Sequence, residues 1–303
     1  MTRSSVVLRP VMRALRRAQA QPPRSRGLKL RVEALEDRAV PAAFVVDTLD
    51  YPFPRDGTGV TLWEAVERAN RTVGPDTIVF ADSLAGGTIH LSNFVFPSSQ
   101  LPTIFTDVTI VGLGADRLTI DADGGSRIFE IADSATVEIC GLTLTGGNAR
   151  SGSESSYSGG AILNRGTLAV TGATLSGNAA EDGGAVLNLG TLTVVGSTIS
   201  GNSATRAGGG IANHGMLSVI ASTLSGNTAD TGVPPVTPAG GGGIFNFADG
   251  LLTVTGSTLS GNSTDRAGGG VANHGRLSVV NSTLSGNSAL REGRSSPTRP
   301  RTA

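Results

Sequence analysis

From residue 167 onward, apolar and polar positions alternate in short bursts, and the bursts recur. Aligned, they read TLAVTGATLSGN, TLTVVGSTISGN, MLSVIASTLSGN, LLTVTGSTLSGN and RLSVVNSTLSGN. Alternation with period two marks a half-buried strand. Leu168 and Val170 therefore point inward, as do Leu192 and Val194 one repeat later. A second block falls between the bursts: GGAVLN, GGGIAN, GGGIFN and GGGVAN, with an earlier copy, GGAILN, at 159–164. The bursts end on Asn178, Asn202, Asn227, Asn262 and Asn287, at spacings of 24, 25, 35 and 25 residues. The second block ends on Asn164, Asn188, Asn213, Asn246 and Asn273. Residues 206–227 return almost unchanged at 266–287, as if a two-coil unit had been duplicated.

A period near 24 residues holding three short alternating segments predicts one coil of a solenoid. The expected fold is all-β: a single-stranded right-handed parallel β-helix with an N-terminal capping module. Equivalent residues of stacked strands sit about 4.8 Å apart, so each set of five asparagines forms a ladder. Asparagine is a favoured turn residue, and the ten are read as structural, not catalytic. A leucine-rich repeat would need LxxLxLxxN and a helical side; a calcium-binding roll would need GGxGxD. Neither pattern is present. Val108-Thr-Ile-Val111, Leu118-Thr-Ile-Asp121 and Thr136-Val-Glu-Ile139 read as less regular coils upstream. Roughly eight coils give a rod of about 40 Å.

The segment before the coils has a different period. Phe44-Val-Val-Asp47 reads as a strand. Thr61-Leu-Trp-Glu64 is a capping-box pattern, and Leu62, Ala65, Val66 and Ala69 follow at helical spacing, which predicts a helix ending near Asn70. Asp76-Thr-Ile-Val-Phe80 and Thr88-Ile-His-Leu91 read as strands. The chain thus divides into a disordered basic targeting segment (1–43), a capping module (44–100), the β-helix (101–290) and a disordered tail (291–303).

Composition narrows the function. Glycine contributes 43 of 303 residues and aromatics only 4%, which suits stacked small and β-branched side chains. Net charge is zero, but unevenly spread: residues 1–38 carry ten Lys/Arg and three acids, and residues 39–290 ten Arg and twenty acids. An acidic body disfavours a nucleic-acid partner. No stretch approaches the roughly 18 apolar residues of a membrane span. The single cysteine, Cys140, reads as a small core residue.

Three resemblances follow. Val60-Thr-Leu-Trp-Glu-Ala-Val-Glu-Arg-Ala-Asn70, followed by Asp76-Thr-Ile-Val-Phe80, resembles the CSLREA domain at the start of bacterial β-helices; Val60 stands for its usual Cys and Trp63 for its Arg. The Gly-Gly-Ala/Gly blocks paired with Leu/Ile-Ser-Gly-Asn, over about 145–290, resemble the repeats of polymorphic outer-membrane proteins. Leu175, Ile199, Leu224, Leu259 and Leu284 replace that family's Phe, and its membrane barrel has no counterpart here. Leu30-Arg-Val-Glu-Ala-Leu-Glu-Asp-Arg-Ala-Val-Pro41 resembles an N-terminal sorting motif of large secreted proteins from planctomycete-type bacteria. Together they imply a secreted or cell-surface protein, an adhesin or extracellular scaffold, whose partner is an extracellular polysaccharide or a surface protein.

Candidate chemistry is sparse. The insertions at 151–158 and 231–238 fall at one corner of the coil, with Glu181, Asp182, Arg206, Asp230, Asp265 and Arg266 nearby; loops at one corner project from one edge, the expected recognition edge. His214 and His274 occupy equivalent positions but lie two rungs, about 9.6 Å, apart, too far for one zinc with bonds of about 2 Å. Enzymes of this fold, including pectate lyases, need clustered carboxylates and a base, and the only cluster is Asp121 and Asp123 near Arg117 or Arg127. The expectation is a non-enzyme without cofactor or metal, with a polysaccharide lyase or hydrolase as the alternative. The repeat pattern stops at Leu290, which suggests a piece of a longer protein; further Gly-Gly-Gly-Ile-Asn coils in the downstream reading frames would be its sign.

Overall fold

The computed structural model describes residues 41–53, 57–91, 100–149, 159–230 and 239–289. Residues 1–40, which hold all but Pro41 of the segment that resembles a sorting motif, lie outside the described residues, as do the insertions at 151–158 and 231–238 and the tail. The described strands form four sheets of nine, eight, six and six strands, and every pairing between neighbouring strands is parallel. This is a parallel β-solenoid.

One coil shows how the alternation works. Thr167–Thr171 lies in the nine-stranded sheet, Thr174–Ser176 in the eight-stranded sheet, Ala179–Asp182 in one six-stranded sheet and Val186–Asn188 in the other. Leu168 stacks in register on Leu192 and Val170 on Val194, and all four are buried. Thr167, Ala169 and Thr171 alternate outward. Leu175, Ile199, Leu224 and Leu259 form an inward column from the next sheet. Each such buried aliphatic contributes about 1.5–3 kcal/mol. The 35-residue step leaves the register intact, since Asn213 pairs with Asn246 and Thr228 with Ser263.

The coil has four strands where the alternation predicts three. The extra sheet runs through Ala180, Ala204 and Ala229, which fill its inward positions. Side chains that small leave no hydrophobic period to read. Cys140 also differs from expectation. Val137 and Ile139 take the inward phase, so Cys140 is only half-buried on the outward register opposite Thr171.

The capping module follows its local signals closely. The helix α1 spans Leu62–Ala69. The Glu64 N–H donates to Thr61 Oγ1 at 3.2 Å and the Thr61 N–H to Glu64 Oε2 at 3.1 Å, closing the capping box. Leu62, Ala65, Val66 and Ala69 are buried, and the helix packs on the strands Ala43–Val46 and Asp76–Phe80. At the other end, the last described coil is open. Leu277, Val279 and Leu284 hold inward positions but are 41%, 40% and 48% exposed.

Close stacking restricts what the corners accept. A Cβ on Gly215 would overlap the Gly190 carbonyl oxygen of the preceding coil. Ala221, by contrast, holds φ +47° where the equivalent Gly196 and Gly256 are glycines, a conformation that costs an L-residue about 1–2 kcal/mol. Gly215→Ala should therefore destabilise by about 1–3 kcal/mol, the usual overpacking cost, and Ala221→Gly should stabilise by up to about 1 kcal/mol. Chemical denaturation of the two variants checks both signs.

Candidate functional site

The ten repeated asparagines form two columns, buried in every coil but the last described one. Asn178, Asn202, Asn227, Asn262 and Asn287 follow the glycine of the first corner. Each Nδ2 donates to the Oδ1 of the next coil at 2.9–3.0 Å. That Oδ1 also accepts the backbone N–H of the asparagine before it at 3.0–3.1 Å. The other Nδ2 proton reaches a carbonyl of the preceding coil, such as Asn202 to Leu175 at 3.0 Å. The second column, Asn164, Asn188, Asn213, Asn246 and Asn273, repeats the amide-to-amide bond at 2.7 Å in each step. The amide-to-amide bonds of both columns all point to the following coil, and Asn164 Oδ1, at the head, is buried without a partner.

A third column escaped the sequence reading. Ser197, Ser222 and Ser257 are buried. Each Oγ accepts the backbone N–H of the preceding coil at 3.1 Å, from Ala173, Ser197 and Ser222 in turn. Each hydroxyl donates back to a carbonyl two residues earlier, as Ser222 does to Ile220 at 2.8 Å. The signal was the recurring Ser-Thr after Gly, Ala or Asn, which reads as an ordinary turn.

The charged edge residues have mixed roles. Asp182 is buried and paired with Arg206, whose Nε also lies 3.3 Å from Glu181. Arg266 Nε is 3.8 Å from Asp265, and Asp230 is exposed. Ala207, Gly240 and Ala267 stack through parallel bridges, so Arg206 and Arg266, one residue earlier than the outer pair, share one corner. Nearby, Leu163, Leu187, Ala212, Phe245, Phe247 and Ala272 belong to a second, smaller apolar cluster. His214 stacks on Phe247 at 3.7 Å with its Nδ1 3.2 Å from Asp249, and the His274 ring lies 5.1 Å from Phe245. The two histidines serve aromatic stacking, with a coil between them.

Asp121 and Asp123 acquire a neighbour the sequence reading did not join to them. His90 pairs in register with Asp121, and His90 Nδ1 is 3.0 Å from Asp123 Oδ1. The three side chains offer ligand atoms within 4.8 Å of one another. The turn already uses part of this capacity, since Asp121 Oδ1 accepts the Asp123 N–H at 2.8 Å.

An open cleft lined by polar groups lies where the capping module meets the first coils. Trp63, Glu67, Gln100, Leu101, Pro102, Thr103 and Glu130 line a cavity of about 410 Å³. Arg127 is almost fully buried behind it. Its Nη1 donates to Glu130 Oε2 at 3.0 Å and its Nε to the Gly159 carbonyl at 3.2 Å. Gln100 Nε2 donates to the same Glu130 oxygen at 3.3 Å, and Arg165 Nε lies 3.7 Å from the other. Burial pulls the Arg127 guanidinium below its ordinary pKa, and Glu130 opposes that. Phe53 meets Trp63 edge-on at 5.5 Å.

Compared with family models, with curated proteins and with solved structures, the chain gives no match.

Two outcomes follow from this geometry. Removing Asn202 leaves the Asn178 N–H and Nδ2 without their shared acceptor, at about 1–3 kcal/mol for each buried orphan. Asn202→Ala should thus destabilise by about 2–4 kcal/mol, and Asn287→Ala at the open coil by about 1 kcal/mol, measured by denaturant unfolding. Burial, with Glu138 adding to it, raises the Cys140 thiol pKa against a weaker lowering by a Gly112 hydrogen bond. A raised pKa means less thiolate at a given pH, so iodoacetamide should label Cys140 more slowly than free cysteine at neutral pH. The rate should still be rising with pH where the free thiol has levelled off; mass spectrometry follows it.

Proposed function

We propose that the chain is a secreted or cell-surface β-solenoid that acts by binding, as an adhesin or extracellular scaffold. The observation that carries this reading is the use of the repeated polar side chains. Asparagines and serines recur coil after coil, and they are buried and bonded to backbone or to one another. They build a rigid support, and recognition falls to residues that vary on it. Edge residues such as Glu181, Asp230 and Asp265 fit that role, as do the non-repeated first coils. The helix with its Thr61 cap, seated on the first strands, supports the resemblance to CSLREA-bearing β-helices. Among the described residues no helix is long and apolar enough to cross a membrane.

A second reading rests on His90, Asp121 and Asp123. An imidazole beside two carboxylates can serve general acid–base chemistry on a polysaccharide, or hold a divalent cation through oxygen and nitrogen donors. That would make the chain a carbohydrate-active enzyme.

One experiment separates the two. The full chain is incubated with acidic and neutral polysaccharides, and both retention on the polymer and new chain ends are recorded. Retention without cleavage, weakened by deletion of 151–158 or 231–238, is the expected result. New ends that disappear in Asp121→Ala/Asp123→Ala would establish the enzyme instead. Neither signal would remove polysaccharide as the partner.

A further inference from the structure

We infer that the cavity between Trp63 and Glu130 is a binding site for a sugar unit of a neutral polysaccharide. This deepens the binding role proposed above and rests on it, by naming a ligand class and the place where it seats.

The wall of the cavity is fixed at both ends. The Tyr51 hydroxyl donates to the Gln100 carbonyl at 2.9 Å, and burial pushes that phenol well above its usual pKa, so it stays a donor. At the far end, Asn70 Nδ2 donates to the Thr103 carbonyl at 2.8 Å, and Asn70 Oδ1 accepts the Phe105 N–H at 2.9 Å. The segment between them, Gln100 to Thr103, is thereby held against the helix. Opposite, Glu130 cannot swing, because Arg127 and Gln100 both grip one oxygen. A site whose polar groups are oriented before the ligand arrives avoids the ordering cost of binding.

The chemistry of the lining selects the ligand. Trp63 supplies a broad apolar surface with one N–H donor, and Gln100, Glu67 and Glu130 supply amide and carboxylate groups beside it. A few polar groups around an aromatic wall is the general make-up of a small-ligand pocket, and about 300–1,000 Å³ is the usual size. Charge then decides between ligands. Glu67 is paired with Arg71 at 2.8 Å, and Glu130 with Arg127 at 3.0 Å and Arg165 at 3.7 Å. The acids are already paired, which weakens the attraction for a cation. A uronate carboxylate, which only accepts hydrogen bonds, finds no donor in the acceptor oxygens of Glu130 and Glu67. A neutral sugar ring remains: its C–H face covers the indole, and its hydroxyls donate to carboxylate oxygens, the stronger class of hydrogen bond.

The chain has one tryptophan, so its emission reports on this cavity alone. The full-length protein is titrated with neutral β-linked gluco-, xylo- and manno-oligosaccharides, and with oligogalacturonate. A saturable change in Trp63 emission with a neutral oligosaccharide, and a weaker one or none with the uronate, is expected. Calorimetry on Gln100→Ala, which keeps the Arg127–Glu130 pair, should show about a tenfold loss of affinity. Trp63→Phe should keep part of the binding and Trp63→Ala lose it, with circular dichroism confirming that each variant is folded. No saturable response to any neutral oligosaccharide, tighter binding of the uronate, or unchanged affinity in Gln100→Ala would overturn the inference. Retention on polysaccharide without an emission change would do so too, while leaving the broader binding role standing.

Discussion

A solenoid corner leaves backbone N–H groups pointing along the axis, away from any strand partner in their own coil. An unbonded buried N–H costs about as much as several good contacts contribute, and this chain meets the same corner again in every coil. Its answer is a side-chain acceptor supplied by the next coil. Asn202 Oδ1 takes two protons from Asn178, and Ser222 Oγ takes the N–H of Ser197. The in-register stacking of Leu168, Leu192, Leu217 and Leu252 depends on those corners turning identically each time. The glycines that let successive backbones approach are subject to the same demand.

Because the repeats are committed to this bonding, chemistry collects where the repetition is imperfect. The lane that carries Leu163, Leu187 and Ala212 outward begins with Glu130 in the first coil of that sheet. The lane of Thr145, Ser176 and Ser200 begins with His90 and Asp121. In both cases charged side chains stand in positions that later coils fill with aliphatic or hydroxyl groups. They also stand beside the capping module, which adds Trp63, Glu67 and Gln100 to one of them.

How much of this the sequence discloses depends on the range of each interaction. The helix was legible to the residue, since Thr61 and Glu64 cap it locally and its apolar face has a clean period. The strands through Leu168 and Leu175 were legible because large apolar side chains alternate with polar ones. The sheet through Ala180 was not, because alanine carries no such contrast. The outward phase of Cys140 was legible, since Val137 and Ile139 alternate with Thr136 and Glu138, but the usual burial of free cysteine pointed the other way. The asparagines stood out by spacing, while the serines beside them were hidden in a common turn sequence. The cavity at Trp63 was out of reach: it requires the coil to close before Gln100 and Glu130 come to the side of the helix.

The asparagine columns also have a direction. Each asparagine gives its backbone N–H and one Nδ2 proton to the Oδ1 of the next, so the corner of one coil is completed only by the coil that follows it in the chain. During synthesis from the N-terminus, the coil most recently formed therefore carries bare donors at its corner until its successor docks. In a fold whose units contact only their neighbours, this makes ordering a vectorial process. The growing front stays sticky toward the next segment of its own chain, and the finished turns behind it are already saturated.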